Sequence, residues 1–180
     1  MRGLALGLAL TCLSGAALAA MRPGEAAPDF TLAAAVGGKS FTFTLSEALK
    51  QGPVVLYFYP KSFTSGCTEE AHEFAENADN FAQAGASLIG VSADTLDTQK
   101  EFSTKECRDK FPVGADADGK VIRAYKAQFS GLLNTDMSSR LSYVIAPDGK
   151  IILAYEGLSP APHIEKTLAA VRQWRAAHPR

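Results

Sequence analysis

The chain has 180 residues, 47% hydrophobic and 21% charged, with 15 glycines, 9 prolines and 3 cysteines. That describes one ordinary globular domain with a single core, and it excludes collagen-like, disordered and disulfide-scaffold classes. A formal net charge of −1, with no run of Lys or Arg, excludes the basic stripe that grips nucleic acid or an anionic membrane surface.

Residues 1–20 read as a leader. Met1-Arg2 gives a short positive start, Leu4 to Leu13 is apolar or small, and Ala17-Leu18-Ala19 offers the small side chains of a cleavage site near Ala19 or Ala20. The apolar run falls short of the roughly 20 residues that span a bilayer. Leu10-Thr11 is a poor lipidation context for Cys12. The expectation is a signal peptide over 1–20 and an exported mature domain over 21–180, with no membrane span, in the periplasm if the cell is Gram-negative. Once Cys12 has gone, Cys67 and Cys107 remain, and in an oxidising compartment such a pair is either a structural disulfide or working redox chemistry.

In chain order, residues 22–29 form an extended lead-in to a strand at Phe30-Thr31-Leu32. A turn at Val36-Gly37-Gly38-Lys39 leads to a second strand over Ser40 to Thr44, and Ser46 to Lys50 is a short helix. Pro53 to Tyr59 is a continuous β-branched and aromatic run, the pattern of a strand buried on both faces, stopped by Pro60. From Thr64 to Ala84 the period is helical, with Cys67, Ala71, Phe74, Ala75, Ala78, Phe81 and Ala82 on one stripe and Gly85 at the end. Ser87 to Ser92 is another buried strand. Thr98-Gln99-Lys100-Glu101 has the spacing of a capping box and opens a helix to about Lys110, with a thin stripe of Phe102 and Cys107. A strand at Phe111 to Ala115 and a helix at Lys120 to Ala127 follow. Strands Leu141 to Ala146 and Ile151 to Tyr155 flank the turn Pro147-Asp148-Gly149-Lys150, and a last helix carries Ile164, Leu168, Val171 and Trp174. This order implies an α/β fold: a central mixed sheet with helices on both faces, thioredoxin-like, with an N-terminal β extension.

The chemistry concentrates at Tyr59-Pro60-Lys61-Ser62-Phe63-Thr64-Ser65-Gly66-Cys67-Thr68-Glu69-Glu70. A buried strand runs through a polar loop into a cysteine in the first turn of a helix. The unpaired amides and positive dipole end there favour a thiolate and can hold an oxygen that gains charge as an O–O bond breaks. Thr64 is near enough in sequence to set its hydroxyl beside the sulfur, and Gly66 allows a small substrate close to the backbone. The bland alternative is a small buried hydrophobe, since Cys67 falls on the apolar stripe.

Pro60, Thr64 and Cys67 match the Pro-x-x-x-Thr-x-x-Cys signature of peroxiredoxins. Phe58-Tyr59-Pro60-Lys61 and Gly66-Cys67-Thr68-x-Glu70 look most like the bacterioferritin comigratory protein, or PrxQ, branch. Ala27-Pro28-Asp29-Phe30, Gly90-Val91-Ser92 and Arg140 with Tyr143-Val144-Ile145 extend the likeness over nearly all of residues 21–180, an AhpC/TSA-type domain. The resemblance implies a thiol peroxidase for hydrogen peroxide and organic hydroperoxides, recycled by a thioredoxin-like or other dithiol reductant, monomeric and without a cofactor. Cys67 would be the peroxidatic thiolate that becomes a sulfenic acid. Thr64 would hydrogen-bond peroxide and sulfur, and Pro60 would shield the sulfenate. Arg140 would stabilise the thiolate and hold the breaking O–O bond, oriented by Glu70 through a bidentate pair. Without the resemblance, Arg140 reads as a solvated surface residue.

The chain departs from the pattern in two places. Ser65 stands where the branch often has Pro, and His72 where many members carry a second cysteine. Cys107 is the remaining resolving candidate, although it is offset by three residues against the branch's Phe-Pro landmark, here Phe111-Pro112. A one-cysteine enzyme rescued by an external thiol and a permanent disulfide stay open beside it. His72, His163 and His178 read as solvated, and no His/Cys/Asp cluster has metal-ligand spacing. A thioredoxin-type oxidoreductase would need Cys at position 70, where Glu stands, and a copper carrier would need it at 71, where Ala stands. A non-catalytic binding module with an inert Cys67 is the rival reading. Any preference for organic peroxides would depend on apolar surface near Phe63.

Overall fold

The computed structural model describes residues 20–129 and 137–179. Of the expected leader, residues 1–20, all but Ala20 lie outside the described residues, whereas Met21 is buried and its amide donates to the Tyr143 hydroxyl at 3.0 Å. The elements are β1 (Thr31–Val36), β2 (Lys39–Thr44), α1 (Leu45–Leu49), β3 (Val54–Phe58), α2 (Ser65–Gln83) and β4 (Ser87–Ser92). They continue with α3 (Leu96–Lys105), β5 (Val113–Ala115), α4 (Lys120–Ala124), β6 (Leu141–Ile145), β7 (Ile151–Glu156) and α5 (Ala161–Ala177). Their type and order agree with the sequence pattern throughout. The seven strands form one mixed sheet in the order β2-β1-β5-β4-β3-β6-β7.

β3 is the axis of that sheet, parallel to β4 and antiparallel to β6, with all five residues buried. Because side chains alternate across a strand, Val54, Leu56 and Phe58 enter one core layer with Phe30, Tyr125 and Tyr143. Val55, Tyr57 and Tyr59 enter the other, with Phe74, Phe81, Phe102, Cys67 and Cys107. In that second layer Phe74 of α2 stacks on Tyr57 with ring centroids 4.4 Å apart, and α2 packs against α5. The face that carries Cys67 is therefore fixed by aromatic packing from α2 and α3 and by Ile164, Leu168 and Val171 of α5.

Helix α3 differs from the sequence reading at both ends. Its cap is Thr95, whose side chain accepts from the Thr98 amide at 3.3 Å, so the helix opens before the Thr98–Glu101 spacing that resembled a capping box. It stops at Lys105, and Cys107 sits beyond it in a tight turn in which Arg108 and Asp109 take φ of +51° and +59°. A helix whose stripe is only Gln99, Phe102 and Ser103 has little apolar burial to carry it further.

Candidate active site

Strand β3 delivers Tyr59 and Pro60 to its carboxyl end at one end of the sheet, and the loop 60–64 turns the chain into α2. That loop is pinned from β4 and α3: the Ser62 amide donates to Asp94 Oδ2 at 2.7 Å, and the buried Tyr59 hydroxyl donates to Gln99 Oε1 at 2.6 Å. Gln99 in turn donates to Ser92 Oγ at 2.8 Å and to the Gly114 carbonyl at 3.1 Å. This support was not anticipated; only the polar residues Gln99 and Ser92 falling on otherwise buried faces could have signalled it. Phe63, at φ +63°, packs edge-on against Phe102 with centroids 5.2 Å apart.

Thr64 caps α2 and Cys67 stands in its first turn, 2% exposed. The Thr64 hydroxyl donates to the Lys61 carbonyl at 2.9 Å rather than to the sulfur, so its lone pairs stay available to an incoming donor. Arg140 enters from the start of β6. Its Nη2 lies 3.5 Å from Cys67 Sγ, and Nη1 donates to Glu70 Oε2. Arg140 is 9% exposed and Glu70 fully buried, so the solvated reading of this arginine is corrected: the buried carboxylate one turn after Cys67 recruits it. Burial works against its charge, but Glu70 and Cys67 outweigh burial and stabilise the cation. Gly66 serves this approach, since a Cβ there would come within 3.0 Å of Nη2. Room for arginine, more than for substrate, is what the glycine supplies.

His163 is a second correction. It is fully buried on α5: Ser142 Oγ lies 2.8 Å from Nδ1, the Gly157 carbonyl 3.0 Å from Nε2, and Glu70 Oε1 3.8 Å from Nδ1. Burial pushes His163 down to about 4, helped by Arg140 and opposed by the Gly157 bond. Burial pushes Glu70 up to about 8, against the pull of Arg140. The spacing could have placed His163, because with Thr167 and Val171 it recurs every four residues on the buried face. His72 is also not solvated; it is half-buried, with Nε2 2.7 Å from Glu106 Oε2.

The structure thus brings Cys67, Arg140 and Glu70 into contact. Pro60 and Arg140 line a neighbouring cavity of about 290 Å³ together with Phe129, Gly157 and Leu158. Phe63, also exposed, does not line this cavity. Cys107 is a free, fully buried thiol in the same core layer as Cys67, and burial pushes it well up, with Glu106 and Asp109 adding to the shift. Among the described residues no group of three His, Cys, Asp or Glu side chains could hold a metal ion, and no helix is long and apolar enough to cross a membrane.

A helix-start cysteine under a guanidinium, on a sheet wound in this way, defines a thiol-dependent peroxidase on a thioredoxin-like scaffold. The AhpC/TSA family model matches residues 23–154, and the chain belongs to that family. It is 35% identical over 157 residues to the chloroplastic peroxiredoxin Q of Arabidopsis thaliana, covering 87% of this chain and 69% of that one. Among solved structures, peroxidoxin BcpB of Mycobacterium tuberculosis superposes with a TM-score of 0.76 at 35% identity, over 85% of this chain and 97% of that one. The bacterioferritin comigratory protein of Xanthomonas campestris, described with an alkyl peroxide reduction activity, does so at 0.70 and 28%, over 81% and 91%. The protein is a peroxiredoxin of the Q type, an oxidoreductase that reduces peroxides with thiol electrons; an inert binding module is not favoured.

Proposed function

We propose that Cys67 is the peroxidatic residue. The observation that carries this is the Arg140 guanidinium 3.5 Å from Cys67 Sγ, held by the buried Glu70 at the start of α2. The thiolate attacks one peroxide oxygen, sulfur is oxidised to the sulfenic acid, and the O–O electron pair leaves with the other oxygen. Arg140 and the first-turn amides hold that oxygen as its charge grows. Thr64 accepts the peroxide O–H, its own hydrogen being committed to Lys61. Pro60 borders the cavity and limits access to the sulfenate. The apolar walls at Phe129 and Leu158 accommodate the alkyl part of an organic hydroperoxide.

Cys107 resolves the sulfenic acid by forming a disulfide with Cys67, which a thioredoxin-like dithiol protein reduces. Its burial requires the 106–110 turn to open first. The chain acts as a monomer, exported to the periplasm after cleavage near Ala19 or Ala20, a reading supported by the leader-like composition of residues 1–20. The test is intact mass with peptide mapping after one equivalent of hydrogen peroxide on the reduced protein, quenched in seconds with a thiol-blocking reagent. A Cys67–Cys107 peptide with loss of two hydrogens supports the whole scheme. One added oxygen on Cys67 alone removes Cys107 from it, and an unoxidised Cys67 overturns it.

A further inference from the structure

Behind Cys67, three side chains from distant parts of the chain close on one another out of water: Glu70 from α2, Arg140 from the start of β6 and His163 from α5. Arg140 occupies one oxygen of Glu70. The other, Oε1, is buried and has no hydrogen-bond partner among the described residues, with His163 Nδ1 3.8 Å away. A buried carboxylate oxygen without a donor is costly and calls for a physical reason.

The hydrogen placement on His163 supplies one. Nε2 faces the Gly157 carbonyl, which can only accept, so Nε2 carries the ring hydrogen. Nδ1 of the neutral ring is then a lone pair that accepts from the Ser142 hydroxyl. An ionised Glu70 would set a second lone pair against it. A hydrogen on Oε1 removes that conflict and leaves Oε2 free to accept from Arg140. The other groups that face Glu70 agree. Glu73, one turn along α2, disfavours a negative charge there, and the buried Tyr57 phenol of β3 stays neutral.

Charge balance ties this hydrogen to the reaction. With Cys67 as thiolate, Arg140 is compensated by sulfur and Glu70 can stay neutral. Once Cys67 is a neutral sulfenic acid, Arg140 needs a new counter-ion, and Glu70 is the carboxyl in contact with it. We propose that Glu70, positioned by His163, stores the proton that peroxide reduction consumes and releases it as the thiolate charge disappears. The sulfur electron pair forms the S–O bond, the O–O bond breaks, and sulfur is oxidised by two electrons while the peroxide is reduced. The leaving alkoxide or hydroxide takes one proton, and the Glu70 carboxylic acid becomes the carboxylate paired with Arg140. His163 stands between the carboxyl, whose Oε1 is 3.8 Å from Nδ1, and the Gly157 carbonyl, and Gly157 lines the cavity beside Arg140. The sulfenic acid loses water to the Cys67–Cys107 disulfide, and reduction of that disulfide by a dithiol restores the sulfur charge, leaving one of the two dithiol protons on Cys107 and returning the other to Glu70. This inference rests on Cys67 being the peroxidatic residue; Glu70 and His163 are positioning and proton-holding groups that act through Arg140.

The experiment is a single turnover of the reduced protein with hydrogen peroxide at neutral pH in weak buffer. A pH-indicator dye counts protons, mass spectrometry counts oxidised Cys67, and infrared difference spectra follow the carboxyl carbonyl band. Wild type is expected to oxidise with almost no net proton uptake and to lose a carboxylic acid band as a carboxylate appears. Glu70→Gln should take up about one proton per Cys67 oxidised and lack the band change. His163→Gln, whose amide can donate to Oε1, should ionise Glu70 at rest and shift the proton count toward that of Glu70→Gln. Equal proton counts in wild type and Glu70→Gln, or a wild-type carboxylate in both redox states, would overturn the inference while the peroxidase reading stands. A Cys67 that never oxidises overturns both.

Discussion

The turn that carries Cys107 is clamped to α2 by charge, and loosening the clamp should accelerate disulfide formation. Glu106 pairs with His72 at 2.7 Å, Arg108 with Glu76 at 3.1 Å and Lys110 with Asp79 at 3.6 Å. The three α2 partners recur at helical spacing on one face. Opposing them, Arg108 and Asp109 hold left-handed backbone angles, which cost an L-residue roughly 1–2 kcal/mol each, less for Asp. Partly exposed pairs contribute about 0.2–1 kcal/mol apiece. The double substitution His72→Ala and Glu76→Ala cuts two of the three from the α2 side, preserves helix propensity, and leaves the charges beside Cys107 untouched. A combined loss of about 1 kcal/mol raises the open population about fivefold. The assay is rapid-quench mass spectrometry after one equivalent of peroxide, following sulfenic acid into disulfide. Resolution should speed up about fivefold on that estimate, with the first oxidation of Cys67 unchanged. Added salt should accelerate wild type more than the variant, because it screens pairs the variant no longer has. An unchanged or slower resolution step would refute the claim that opening of this turn limits it.

Arg140→Lys keeps the charge but loses the planar fork that reaches Cys67 and Glu70 together. Its kcat/KM for hydrogen peroxide should drop by about a hundredfold in a coupled peroxidase assay; a loss of less than about tenfold would mean the guanidinium does not hold the leaving oxygen. Stability should also depend on pH through Glu70. Its folded-state value, raised to about 8 from 4.5 by burial against the pull of Arg140, means the folded chain binds the extra proton. That stability is full below the unfolded value and is lost as pH rises through about 8. His163 runs the other way, losing stability only as pH falls from 6.5 toward about 4 because its burial disfavours the cation. The melting temperature should therefore fall from about pH 6.5 to above pH 8 in wild type and stay flat in Glu70→Gln; parallel slopes would exclude Glu70 as the titrating group.

The order of the elements was legible because each sheet strand and long helix carries its own period. The run Val54–Phe58 is buried on both faces, and α2 keeps a continuous apolar stripe from Cys67 to Phe81. The ends of α3 were not legible. Two threonines three residues apart offer equivalent local caps, and the structure uses Thr95, beside an Asp94 held by Ser62 and Ser92. The lower end failed for a related reason. Cys107 looks like one more stripe residue, but burying its side chain does not require the helix to reach it. A turn with two left-handed residues buries it fully.

The site divides in the same way. Pro60, Thr64, Cys67 and Glu70 are local, so a strand, a loop and one helical turn fix their spacing and the sequence displays them together. Arg140 and His163 reach Glu70 only through the tertiary fold, 70 residues away in the case of Arg140. Nothing near either residue in sequence names its partner. The determining fact is that Glu70 has no exposed surface, and that follows from α5 packing on α2. A carboxyl shut away in this manner must be neutral, paired or both, so it constrains whatever side chains β6 and α5 bring up to it. An arginine that would be solvated on an open strand end is drawn in, and a histidine that would be solvated on a free helix becomes a neutral, hydrogen-bonded wall. The charge state of the pocket is therefore decided by the burial of Glu70, the group in it that does not touch the sulfur.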